Sequence, residues 1–105
     1  MLDLSWCDGL TEAKWIATIA EAYQLPVTPH DGTGPVVLAA STHLSINAPN
    51  APIQETVRAY DSGSYRKLVT VLPQVRGGFV TPLTGPGLGL DLRPEPRHRA
   101  DAHPR

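Results

Sequence analysis

Three side chains that can carry protons stand at near-equal intervals along this chain. They are Asp3, His30 and Glu55, 27 and 25 residues apart. Carboxylates and imidazoles are the groups most used for acid–base work near neutral pH. Each of the three sits where a short extended segment is expected to end. The interval matches one strand–helix unit of a (β/α)8 barrel, where ~250 residues are shared among eight units and the C-terminal strand ends build the active site. The spacing therefore predicts that the three side chains converge. At 105 residues the chain is too short for a whole barrel and has the size of one domain.

The elements that must position them can be read in order. Residues 1–5 read as the end of a strand, cut short because a parallel strand normally runs about five residues. Cys7-Asp8-Gly9 is a loop. Thr11 is the expected N-cap of a helix near 11–23, with Glu12 at the positive end of its dipole. Trp15, Ile16, Ile19, Ala20 and Tyr23 recur at helical spacing and predict its buried face. Gln24 follows, where Gly usually ends a helix. Residues 25–28 are apolar, as expected of a strand covered on both faces. Asp31-Gly32-Thr33-Gly34 is a turn, and Pro35 suits the first turn of a second helix. Val36, Val37, Ala40 and Leu44 form that helix's stripe, to about Ile46. Residues 53–56 are a third short strand. The order predicts a βαβαβ unit with a parallel sheet and right-handed crossovers.

The pattern changes after Tyr60. Residues 68–71 and 78–81 flank Pro73 and Arg76-Gly77-Gly78, which predicts a hairpin-like excursion. The chain has 11 Pro and 9 Gly, clustered between periodic segments and in the last third, so they mark turns rather than low complexity. The fold class is therefore α/β: a partial (β/α)8 barrel segment over 1–60, an extension over 61–92 and a disordered tail over 93–105.

Composition excludes several classes. The chain is 41% hydrophobic and 18% charged with net charge −1, so no basic excess points to nucleic acid. No run approaches the ~18 apolar residues of a membrane span, and the N-terminus does not read as a signal peptide. Cys7 is the single cysteine, which excludes an internal disulfide and fits a reducing, cytoplasmic setting. It reads as a small buried thiol. Other residues keep two readings. Asp31 beside His30 can cap the turn. His43 lies within the second helix as a structural or interface residue. Trp6 and Trp15 are expected to pack between sheet and helix, with sugar stacking as the alternative for Trp6. His98 and His103 are a conceivable metal pair, set against a solvated tail that fixes no geometry.

Several segments resemble the mandelate racemase subgroup of the enolase superfamily. Asp3-Leu-Ser-Trp-Cys-Asp-Gly-Leu-Thr-Glu-Ala-Lys resembles its sixth-strand segment. Leu25-Pro-Val-Thr-Pro-His30 resembles the seventh, which supplies a histidine, and Ile53-Gln-Glu55 the eighth, with its glutamate. Gly85-Pro-Gly-Leu-Gly-Leu90 resembles the final turn before the chain returns to a capping domain. The resemblance covers about residues 1–95. It implies proton removal beside a carboxylate, with Mg²⁺ stabilising the enediolate, as in racemases, cycloisomerases and sugar-acid dehydratases. His30 is then the general base or acid, Asp3 its orienting partner, and Glu55 a hydrogen-bonding partner for the substrate carboxylate or enediolate oxygen.

Two departures matter. The family's metal carboxylates lie on the third to fifth strands, which find no counterpart here, and most of the capping domain is also missing. No cofactor is therefore expected on this chain alone, and Lewis-acid help worth several kcal/mol is lost. Asp8 and Gln24 replace residues that are usually Gly in relatives. The expected function is the C-terminal piece of a metal-dependent acid-sugar dehydratase or racemase (hydro-lyase or isomerase), inactive by itself. Its expected partners are an acid-sugar or 2-hydroxy acid in the complete, homo-oligomeric enzyme, and the missing N-terminal part as a separate chain. The alternatives are a non-catalytic remnant and a small binding or assembly module.

Overall fold

The computed structural model describes residues 1–98. Its regular elements are helices α1 (Leu10–Ala22), α2 (Pro35–Asn47) and α3 (Arg58–Ser62), a 3₁₀ turn over Tyr65–Lys67, strands β1 (Gln74–Arg76) and β2 (Phe79–Thr81), and a last 3₁₀ turn over Glu95–His98.

The three extended segments expected from the sequence lie side by side in chain order. Leu2 N–H donates to Thr28 C=O at 2.9 Å, and His30 N–H donates to Leu2 C=O at 2.7 Å. Leu2 and Pro29 thereby form a parallel bridge. Val27 N–H donates to Asn50 C=O at 2.8 Å, and Glu55 N–H to Pro29 C=O at 3.1 Å, so the third segment runs in the same direction. These pairings do not extend into regular strands, contrary to expectation. Proline is the reason. From the Val27–Asn50 bond a regular parallel ladder next needs N–H donors at positions 52 and 29. Both are proline and have none. The ladder skips, then resumes one residue out of step at Glu55.

Helix α1 begins at Gly9, whose C=O accepts Ala13 N–H at 3.0 Å, rather than at a Thr11 cap. Its buried stripe is Ala13 and Ala17, with Ala20 partly covered, packed against Val27, Ala48 and the Leu2–Leu4 layer. Of the expected face Ala20 alone turns inward: Trp15 is 58% exposed and Ile19 62%, and Ile16 and Tyr23 also face outward. Two stripes coexist on the helix, and hydropathy favours the bulky one. The extended segments and α2 take the alanines because small side chains let helix and backbone approach closely. Trp6, 81% exposed, is likewise not packed between helix and extended segments among the described residues. Cys7 is half-buried against the Leu2–Leu4 cluster.

Helix α2 starts with Pro35 in its first turn, as expected. It is covered nearly all round: Leu38, Ala39, Ser41, Thr42 and Leu44 are buried, whereas Val36 of the expected stripe is exposed. Tyr65, Val69 and Leu72, with Leu90 beside them, pack on Leu38. The extension thus sits on α2.

The antiparallel hairpin joins β1 to β2 with Arg76 opposite Phe79. Gly77 and Gly78 both have positive φ, 57° and 84°, as a tight two-residue turn requires. Its first arm is 74–76, not 68–71. Val69 instead bridges Leu92 antiparallel. The expected tail also needs correction at its start. Arg93 N–H donates to Leu68 C=O at 2.9 Å, and its Nε donates to Arg66 and Val69 C=O at 3.1 and 2.9 Å. His98 ends the last 3₁₀ turn. The remaining tail, with His103, lies outside the described residues.

Candidate active site

Asp3, His30 and Glu55 meet at one end of the three segments. His30 Nδ1 lies 2.7 Å from Asp3 Oδ2, and His30 Nε2 lies 3.6 Å from Glu55 Oε2. The parallel bridge places Asp3 directly beside His30, and the Glu55–Pro29 backbone bond brings in the third residue. The other Asp3 oxygen, Oδ1, accepts from Ser5 N–H at 2.8 Å and Ser5 Oγ at 2.6 Å.

Alternation along the third segment decides where Glu55 points. Its neighbour Gln54 turns to the helix layer, donating from Nε2 to Leu38 C=O at 3.3 Å and Thr42 Oγ1 at 3.2 Å and accepting from Ser45 Oγ at 3.1 Å. With Gln54 anchored on α2, Glu55 faces His30. Asn50 holds the start of that segment by donating to Ala17 and Leu25 C=O, each at 3.0 Å.

The electrostatics follow from these contacts. The Asp3 hydrogen bond raises the His30 pKa above its ordinary 6.5 against some desolvation, and the charges of Glu55, Asp3 and Asp31 add to the rise. For Asp3, burial pushes upward, but the hydrogen bonds from Ser5 and His30 outweigh it and leave its pKa below 3.8. An Asp–His pair so arranged favours the imidazolium and, once neutral, leaves Nε2 as the free base.

Two residues of this neighbourhood were not anticipated as a pair. Asp31 is 2% exposed. Its Oδ2 accepts from Val57 N–H at 2.8 Å and its Oδ1 from the Tyr65 hydroxyl at 3.0 Å, so it ties distant chain rather than capping its own turn. Burial first, then the Asp31 hydrogen bond, pushes the Tyr65 phenol up to about 12. Adjacency to His30 was a signal for Asp31. Tyr65, 34 residues further on, gave none. His43 stands apart from the site, half-buried on α2, with Nε2 3.3 Å from Leu88 C=O.

A family model described as enolase C-terminal domain-like matches residues 1–96. The chain belongs to that family. Solved structures of the mandelate racemase subgroup agree with the enolase-like assignment. An enolase of this subgroup from Agrobacterium tumefaciens is 61% identical and superposes with a TM-score of 0.85, covering 90% of this chain and 26% of that one. An enolase protein from Sargasso Sea environmental sequence is 44% identical at a TM-score of 0.86, covering 100% of this chain and 29% of the other. A protein with a provisional dehydratase name from Salmonella enterica serovar Typhimurium is 37% identical at a TM-score of 0.74, covering 82% and 21%. The enolase-like chain thus spans about a quarter of the length of these relatives.

Enolase-superfamily enzymes generally depend on Mg²⁺. The described residues of this enolase-like chain do not fit such an ion. Among the described residues no three His, Cys, Asp or Glu side chains group as metal ligands. Asp3 is committed to Ser5 and His30, and Asp31 to Val57 and Tyr65.

Proposed function

We propose that this chain supplies the acid–base half of a mandelate racemase-subgroup active site, acting on an acid sugar or other 2-hydroxy acid. The three extended segments are then the sixth, seventh and eighth strands of a (β/α)8 barrel. His30 Nε2 takes the proton from the carbon beside the substrate carboxylate, and the C–H electrons pass into the enediolate. Asp3 fixes the tautomer through Nδ1 and stabilises the imidazolium that forms. Glu55, when protonated, donates to the carboxylate or enediolate oxygen. In a dehydratase, His30 also returns a proton to the departing hydroxyl. The observation that carries this reading is the His30 ring, with Asp3 at 2.7 Å on one nitrogen and Glu55 at 3.6 Å from the other. The dehydratase name of the Salmonella relative supports that branch of the chemistry.

The metal-binding carboxylates belong, in this reading, to the part of the relatives that this chain does not span. The exposed Trp15, Ile16, Ile19 and Tyr23 support a large apolar partner of that kind. The test is a full-length enzyme in which residues 1–96 replace the matching segment of the Agrobacterium relative, assayed with magnesium on an acid-sugar library. Turnover that disappears in His30→Asn is the expected result. A folded chimera without turnover, or with turnover indifferent to His30→Asn, overturns the reading.

The same exposed faces favour a second reading, a small assembly module without chemistry. It requires the isolated chain to form a defined, cooperatively melting oligomer, which size exclusion and circular dichroism would reveal.

A further inference from the structure

We propose that Asp31 and Tyr65 form a positioning pair that holds the Glu55 carboxylate against His30. This rests on the site proposed above and adds the device that keeps it assembled. The need for one arises from the broken ladder. Pro29 and Pro52 remove the donors that would knit the second and third segments together, and the last backbone bond between them is Glu55 N–H to Pro29 C=O. Beyond it, Val57 N–H turns to the Asp31 carboxylate at 2.8 Å. The Asp31 main chain reaches back the other way, donating its own N–H to Glu55 Oε2 at 3.1 Å. Asp31 therefore grips Glu55 on its side chain and the chain two residues beyond it.

Asp31 is itself held. Its second oxygen accepts the Tyr65 hydroxyl at 3.0 Å, and that hydroxyl oxygen accepts Gly34 N–H at 3.2 Å. Both side chains are buried, Tyr65 at 4% exposure, where leaving a polar group unpaired is costly. The turn after His30, the segment after Glu55 and the extension thus lock through one hydroxyl and one carboxylate. Neither side chain hydrogen-bonds the His30 ring among the described residues, so the pair acts through Glu55.

The experiment follows the His30 imidazole by NMR titration in the 105-residue chain. The charged groups facing that ring are Asp3 from the first segment, Glu55 from the third and Asp31 from its own turn. Tyr65→Phe changes none of them. Glu55→Gln is expected to lower the His30 midpoint in the wild-type background. In the Tyr65→Phe background the same change should move it by less than half as much. A Glu55→Gln shift that is absent in wild type, or undiminished by Tyr65→Phe, overturns the proposal. Tyr60, whose ring lies 5.4 Å from that of Tyr65, is the control. Tyr60→Phe should leave the coupling intact, and equal erosion would assign the effect to ring packing and end the proposal. If Tyr65→Phe loses the native amide spectrum, Asp31→Asn is put through the same cycle, with the same two outcomes. Activity enters none of these readouts. An inactive chimera therefore sinks the functional reading without touching this one, and a Glu55→Gln shift undiminished by Tyr65→Phe does the reverse.

Discussion

Asp3 Oδ2 meets His30 Nδ1 at 2.7 Å while Asp3 Oδ1 is clasped by both donors of Ser5. The carboxylate cannot rotate away from the imidazole without giving up the Ser5 contacts. Both partners of the pair shift in the direction of mutual charge, His30 upward and Asp3 downward.

Asp3→Asn should lower the His30 titration midpoint, because the hydrogen bond to a charged acceptor is the largest cause of its rise. In the full-length chimera it should reduce kcat by roughly 10²–10⁴, the usual contribution of a positioned acid–base group. NMR titration and steady-state kinetics on one variant check both, and an unchanged midpoint would refute the geometry.

The pair also sets a pH window for stability. His30 is raised above 6.5, so its contribution is complete below that pH and is lost as pH rises through the folded value. Asp3 is lowered below 3.8, so its contribution is complete above that pH and is lost as pH falls through the folded value. The difference in melting temperature between wild type and His30→Gln should peak between these limits and shrink on both sides. A difference flat with pH would count against the pair.

Gly32 has φ of 148°, and a Cβ built there would lie 3.4 Å from His30 Cε1. Gly32→Ala should therefore cost about 1–3 kcal/mol in backbone strain at that positive φ, while the ring, at ordinary van der Waals distance, keeps its place. Denaturant melts give the first effect, and unmoved His30 ring resonances the second. A neutral substitution would show that the turn is softer than its geometry implies.

Gln24 holds φ of 56° at the end of α1, a left-handed conformation that a side chain opposes. Gln24→Gly should stabilise the chain by up to ~1 kcal/mol. Chemical denaturation measures it, and a loss of stability would mean that the side chain makes contacts outweighing the strain.

Ile19→Lys should leave the melting temperature of the isolated chain nearly unchanged, since Ile19 is 62% exposed. In the full-length chimera it should destabilise by several degrees if a neighbouring element covers that face. Equal tolerance in both settings would show the face to be open surface.

How much of this was legible can be judged element by element. Pro35 marked the start of α2 correctly, and the Gly77-Gly78 pair marked the hairpin turn. The buried face of α1 was misread because Trp15, Ile16 and Ile19 outweigh Ala13 and Ala17 in any hydropathy pattern. Periodicity finds a stripe but cannot say what covers it. The strands were legible as extended segments, while their broken pairing required knowing that Pro29 and Pro52 fall at successive donor positions of one register.

Residue types and spacing alone determined which three side chains could share a site, because a strand–helix repeat of near-constant length returns the chain to the same end of the sheet. Only the tertiary structure decided how they are held there. Asp31, Tyr65 and Gln54 do that work through contacts spanning 9 to 34 residues. Such contacts leave no periodic trace, since a hydrogen bond depends on where two chain segments end up and not on the interval between them.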